Sequence, residues 1–193
     1  MKTLTYISTS VLLFASASAS ASASPLTEVN KYSEFKTFSS VVVQCPIDKT
    51  WKTIGNVKNW FKAVLGDSLV SITVTGEDRE LQSVFSYDIN TGTQQDSATG
   101  HNEERLIELS DFNYQLVTTF NSSTLPLMPW TTKVTLEKVT YIDVPVDYTL
   151  VKFAQSGVIN VPSKMQAATI AKIEQLFDSV FAPSLKEKFD DCL

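Results

Sequence analysis

The period of hydrophobic and polar positions changes along the chain, and each change marks an element. Phe35 to Cys45 is rich in Val, Phe, Ser and Thr and predicts a strand that Pro46 ends, with Val41, Val43 and Cys45 on one face. Asp48 is placed to cap a short helix through Trp51 and Ile54, and Gly55 stops it. A second short helix is predicted over Lys58 to Leu65, with Trp60, Phe61 and Val64 as its apolar side and Gly66-Asp67 as the turn after it. Strand signals then recur at Leu69–Thr75, Glu80–Ile89, His101–Leu109, Tyr114–Phe120, Thr131–Tyr141 and Val146–Gln155. Turn chemistry separates them at Gly76-Glu77-Asp78, Asn90-Thr91-Gly92, Ser110-Asp111 and Pro126 to Pro129. Short strands joined by close turns argue an antiparallel meander.

The final segment switches to helical period. Pro162 marks its start, with Ser163 as an alternative cap, and Met165, Thr169, Ile173, Leu176, Phe177, Val180 and Phe181 recur at three- and four-residue steps. That predicts an amphipathic helix of about 20 residues, roughly 30 Å long. Pro183 is placed to kink or end it, with a further turn over Leu185 to Phe189. A sheet with one apolar face needs a cover, and this helix is the only predicted element large enough. The pattern is therefore α+β, one domain, with no linker that divides it.

Composition adds limits. The chain has 193 residues, 43% hydrophobic and 19% charged, enough apolar material for a packed core. A net charge of −5 gives no footprint for nucleic acid or for an anionic membrane surface. One His and two Cys argue against a His/Cys metal site, and there is no phosphate loop or nucleophile elbow. No metal or cofactor is expected.

Residues 1–24 read as a removable signal peptide. Lys2 supplies the positive end, Leu4 to Phe14 an apolar run too short to span a bilayer, and Ala15 to Ser24 alternating small residues. Cleavage is readable after Ala19, Ala21 or Ala23, so the expected cut lies between Ala19 and Ser24. The expected layout is a leader over 1–24, an N-terminal segment over 25–34 and a single domain over 35–193. Export without a membrane anchor follows, in an oxidising compartment where Cys45 and Cys192 form an even pair, either bridged or as two free thiols. Asn121-Ser122-Ser123 is an acceptor sequon for N-glycosylation.

Three stretches resemble a known superfamily. Val41-Val42-Val43-Gln44-Cys45-Pro46-Ile47-Asp48-Lys49-Thr50-Trp51 is similar to its first strand, proline and tryptophan, with Trp60 following. Glu104-Arg105-Leu106-Ile107-Glu108-Leu109 is similar to a Glu-Arg-Leu strand. Tyr114-Gln115-Leu116-Val117 through Ser122-Ser123-Thr124-Leu125-Pro126 to Trp130 is similar to the hairpin and loop after it. In this order and spacing they resemble the START/Bet v 1-like helix-grip superfamily, closest to its polyketide cyclase-like and plant hormone-receptor-like branches. The resemblance implies a seven-stranded curved antiparallel sheet wrapped around a long C-terminal helix, with two short helices after the first strand. It also implies an apolar cavity between sheet and helix. Val43, Cys45, Asn102, Glu104, Leu106, Leu116, Thr118, Phe120, Met165, Thr169, Ile173 and Phe177 would face it, with Leu125, Leu127 and Trp130 at its mouth. The two short helices would bring the end of the first strand near the chain terminus, which makes a Cys45–Cys192 bridge plausible. Hormone-receptor relatives hold a ligand carboxylate with a lysine whose place falls here near Val64, with Lys58 and Lys62 out of step.

The expected function is a secreted carrier, monomer or weak dimer, for a small hydrophobic ligand such as a lipid, sterol or polyketide-like metabolite. The alternative is a cyclase- or dehydratase-like enzyme in which a buried Glu104, with a raised pKa, acts as acid or base, His101 being a second candidate. Tyr148, Leu150 and Lys152 share one face of their strand and Thr149, Val151 and Phe153 the other. If the first set points inward, Lys152 neutralises Glu104 or a ligand acid; if the second does, Lys152 is a surface residue. Trp130 is either a stacking platform for ligand or a rim-packing residue.

Overall fold

In the computed structural model the described residues are 30–90, 99–124, 127–142, 147–190 and 192, and the predicted leader 1–24 lies outside them. A single seven-stranded antiparallel sheet has the order β1-β7-β6-β5-β4-β3-β2. The strands are β1 (Asn30–Val43), β2 (Leu69–Thr75), β3 (Val84–Asn90), β4 (Thr99–Ser110), β5 (Gln115–Ser123), β6 (Leu127–Val139) and β7 (Tyr148–Pro162). Helices α1 (Ile47–Ile54) and α2 (Val57–Leu65) follow β1, and α3 (Ser163–Leu176), a π-helical turn (Phe177–Phe181) and α4 (Ala182–Lys188) close the chain.

Several elements depart from the local pattern. β1 and β7 are both longer than predicted because they pair with each other, from Asn30 opposite Pro162 to Val43 opposite Thr149. The ladder carries Ser156 and Gly157 as strand residues although their local chemistry favours a turn. β3 starts later than predicted because 76–83 form a turn in which Gly76 and Gln82 have φ of 95° and 75°. A Cβ on Gly76 would also lie 2.5 Å from the Ser83 hydroxyl. β5 begins one residue late because Tyr114 closes the preceding turn with φ 47°. Asp48 does not cap α1; it accepts the Tyr114 hydroxyl at 2.6 Å, and Pro46 precedes the helix with no side-chain cap. Asn56 caps α2 by accepting from the Asn59 N–H at 2.9 Å.

The C-terminal helix is not broken at Pro183. Proline has no N–H to donate into the preceding turn. The helix absorbs this by widening, so that Ala182 N–H bonds Phe177 O, one residue further back than in an α-helix. Ser163 is the first helical residue rather than a cap. Phe177, Leu185 and Phe189 from these segments are buried, and Cys192 forms a disulfide with Cys45 across a Cα separation of 5.3 Å. That separation is within the ordinary range for a bridge.

The α1–α2 junction is clamped onto the β2–β3 and β4–β5 turns. Gly55 O accepts from Arg79 Nη1 at 2.6 Å, Arg79 also pairs with Asp111, and Trp51 Nε1 donates to the same carboxylate at 2.6 Å. The Trp51 and Arg79 bonds hold the Asp111 carboxyl below its usual range. Gly55 has no room for a side chain, since a Cβ there would lie 2.7 Å from the Trp51 ring. Among the described residues no helix is long and apolar enough to cross a membrane.

Candidate functional site

Strand parity decides what the concave face presents. On β4, Asn102, Glu104 and Leu106 are buried while His101, Glu103 and Arg105 lie on the other face. On β7 it is Thr149, Val151, Phe153 and Gln155 that are buried. Tyr148 and Lys152 therefore belong to the convex face and leave the predicted site. Lys152 forms an ion pair there with Glu137 of β6, diagonally across the ladder from it, and cannot neutralise Glu104.

The inward residues form a polar belt between two apolar clusters. Register aligns Thr37 of β1 with Gln155 of β7, Gln155 with Thr132 of β6, and Thr132 with Thr118 of β5. Thr37 donates to Gln155 Oε1 at 3.3 Å. The belt continues through Glu104, whose two carboxylate oxygens accept from Tyr87 at 2.5 Å and from Thr118 at 2.5 Å. Asn102 ends it, accepting from Ser123 at 2.5 Å. On one side lie Val43, Phe85, Leu106, Leu116, Phe153 and Phe177, among others. On the other are Phe35, Trp130, Ile159, Val161 and Ile173, with Phe120 against them. The helix adds Thr169, which is buried one turn before Ile173.

Of the residues predicted to face the helix, Val43, Cys45, Asn102, Glu104, Leu106, Leu116, Thr118, Thr169, Ile173 and Phe177 are buried and Phe120 half-buried. Trp130 is also buried rather than on the rim, wedged between Phe35 and Phe120. Met165 departs: it is 47% exposed, because the helical stripe becomes buried only from Thr169 onward. Leu125 lies outside the described residues, and Leu127 enters only as the first residue of β6. Tyr87, Thr37, Gln155 and Thr132 were not picked out in the sequence. Parity within β3 and β7 carries that information, but only once each strand's inward face is known.

Burial pushes the Glu104 carboxyl above the usual carboxylate range, against the opposing hydrogen bonds from Thr118 and Tyr87. Burial, and then the charge of Glu104, push the Tyr87 phenol well above its own range, so it stays a donor. A raised Glu104 holds its proton in the folded chain at pH values where the unfolded chain has lost it. Its contribution to stability is then full below the unfolded value of 4.5 and is lost as pH rises through the folded value. Glu104→Gln keeps an acceptor and a donor but cannot titrate. Urea melts from about pH 4 to about pH 7 are expected to show this variant gaining steadily on the wild type. Parallel pH profiles for the two proteins would refute the desolvated carboxyl.

His101 is not in this site. On the convex face its Nδ1 lies 2.8 Å from Asp88 Oδ1 and its Nε2 lies 3.2 Å from Ser86 Oγ, while Ser71 donates to Asp88 Oδ2 at 2.6 Å. The Ser71 and His101 bonds keep the Asp88 carboxyl below its usual range. The order Ser–His–Asp is that of a hydrolytic triad. It sits on β3 and β4, each flanked by a neighbouring strand on both sides, so among the described residues no pair of strand N–H groups there is free for an oxyanion. Among the described residues no group of three or more His, Cys, Asp or Glu is arranged to hold a metal ion. Lys58 and Lys62 lie on an open surface groove with Asp67 and Val70, and Val64 is buried.

No protein-family model matches the chain, and no curated protein matches it. Solved structures do. The protein XoxI from Bacillus cereus is similar at 15% identity, with a TM-score of 0.61 over 81% of this chain and 96% of that one. Major latex-like protein 151 from Panax ginseng is similar at 10% identity, with a TM-score of 0.61 over 81% and 97%. Truncated norcoclaurine synthase from Thalictrum flavum is similar at 9% identity, with a TM-score of 0.52 over 75% and 91%. With the strand order, the paired short helices and the C-terminal helical segment, these matches show that the chain has the START/Bet v 1-like helix-grip fold.

Proposed function

We propose that the protein is a secreted carrier that holds a small hydrophobic molecule between the concave face of the sheet and the C-terminal helical segment. The observation that supports this most is the polar belt through Gln155, Thr118 and Glu104, set between two apolar clusters on an inward face. A core built for stability alone has little use for a buried carboxyl, since burying polar groups without gain is unfavourable. Apolar lining with a few fixed polar groups is the usual make-up of a small-molecule site. Burial of ligand surface at about 25 cal/mol per Å² supplies affinity, and the belt sets orientation. Export fits the leader over 1–24, which is removed to leave 25–34 ahead of the domain, and the Cys45–Cys192 bridge suits an oxidising compartment. Asn121 is exposed on β5, open to a glycan in a eukaryotic host.

Native mass spectrometry of the protein collected from the medium of a secreting host tests this reading. A co-purifying lipid-sized mass, on a chain that begins between Ser20 and Pro25, is expected. A bare polypeptide that also takes up no added apolar molecule would overturn it. The catalytic alternative rests on Glu104 alone, because His101 is on the opposite face of the sheet. It is favoured by the raised carboxyl and by a structural neighbour that is a synthase. Undiminished turnover of a candidate substrate by Glu104→Gln would remove it.

A further inference from the structure

The indole of Trp130 is packed edge-on against Phe35 at 5.2 Å and tilted against Phe120 at 5.4 Å, in a cluster with Ile159 and Ile173. The residue is 7% exposed, and its Nε1 is buried with no hydrogen-bond partner among the described residues. An indole N–H only donates, and a buried donor left unmatched destabilises a protein. The contrast within the chain is direct, since the Trp51 N–H is matched by Asp111 at 2.6 Å. A buried group of this kind calls for an explanation.

The charge on the inward face is equally one-sided. Among the described residues that are buried there is no Lys, Arg or His, and the only carboxyl is Glu104. Both of its oxygens are engaged by hydroxyl groups. A ligand carboxylate placed in this interior would be desolvated with no cation to meet it, and would face a second acid.

We propose that the cargo is an uncharged amphiphile with an acceptor oxygen, such as an ester or a ketone, that takes the Trp130 N–H while its apolar body lies among Phe35, Phe120 and Ile173. This rests on the carrier function and narrows it. Free fatty acids are excluded as preferred cargo, and pure hydrocarbons lose the one directional contact that the Trp130 end of the interior provides.

Three probes of matched chain length separate the possibilities when titrated into the full mature protein: methyl laurate, laurate and dodecane. Methyl laurate is expected to bind roughly ten-fold tighter than either of the others, as one hydrogen bond to an otherwise unmatched donor would give. The three tryptophans give three indole N–H resonances in an NMR spectrum, and the Trp130 proton is expected to move downfield with the ester and not with dodecane. Trp130→Phe keeps a ring and removes the donor. It is expected to erase the ester's advantage over dodecane while leaving thermal stability equal or higher. Equal binding of ester and dodecane, tightest binding of laurate, or an ester preference that survives Trp130→Phe would each overturn this inference and leave the carrier function standing. Failure of all three probes to bind would overturn the carrier function and the inference together.

Discussion

Removing the Cys45–Cys192 bridge is expected to lower the stability of the domain by about 5 kcal/mol, the entropy of closing a loop with a sequence separation of 147 residues. For a chain of this size that corresponds to roughly 10–20 °C in melting temperature. The effect acts mainly on the unfolded chain, which becomes free to expand. The urea dependence of unfolding should therefore steepen in Cys45→Ala/Cys192→Ala as the midpoint falls. The native fold below the midpoint should persist, because Leu185 and Phe189 keep the last helix docked through their own burial. Reductant is expected to shift the wild-type melt to the position of the double variant and to leave the variant unmoved. Melts that coincide with and without the bridge would show that it closes no entropic gap.

The bridge also shows how far local pattern reaches. Two cysteines near opposite ends of a chain name a possible pair, but only the fold brings them together. β2 could be read to the residue because Gly66-Asp67 and Gly76-Glu77-Asp78 fence it on both sides. β7 runs past its predicted end at Gln155 because pairing with β1 and β6 holds Ser156-Gly157, residues that suit a turn, in the extended form. Which face of β7 points inward was not legible, since Tyr148 and Leu150 on one face are as apolar as Val151 and Phe153 on the other. Its neighbours decide: Glu137 stands beside Leu150 on the convex side.

The candidate site divides in the same way. Glu104 stood out because an acid between Asn102 and Leu106 shares its face with residues that suit an interior. His101 was drawn to it by proximity in sequence, yet an odd spacing in a strand places two side chains on opposite faces. The register shifts between β4 and β5, at Glu103/Glu104 and at Leu106/Glu108, have no local signature. They bring Thr118 onto the Glu104 carboxylate, so the most polar contact in the interior was hidden from any reading of one strand at a time.

Phe153→Ala is expected to destabilise the domain by about 3–5 kcal/mol, the usual range for truncating a buried phenylalanine. Phe153 joins three elements at one point. Its ring lies 5.2 Å from that of Trp60 in α2, 4.6 Å from Phe177 and 6.5 Å from Phe181 in the π-helical turn. It is 3% exposed on the inward face of β7, opposite Val134 in the ladder, so the sheet backbone cannot follow the shortened side chain. The widened turn is where Pro183 already weakens the helix, and Phe153 packs from the sheet against two of its rings. Amide exchange over Phe177 to Lys188 should therefore accelerate in the variant before exchange in β3 to β5 does, as a local opening of the helical cover. Phe153→Leu should recover part of the loss by refilling the space. Ile142→Ala, at a side chain 91% exposed, should change stability by less than about 0.5 kcal/mol. A loss at Phe153 no larger than at Ile142, with exchange unchanged over the helix, would mean that the cover is held elsewhere. The helix would then be free to part from the concave face without passing through this contact.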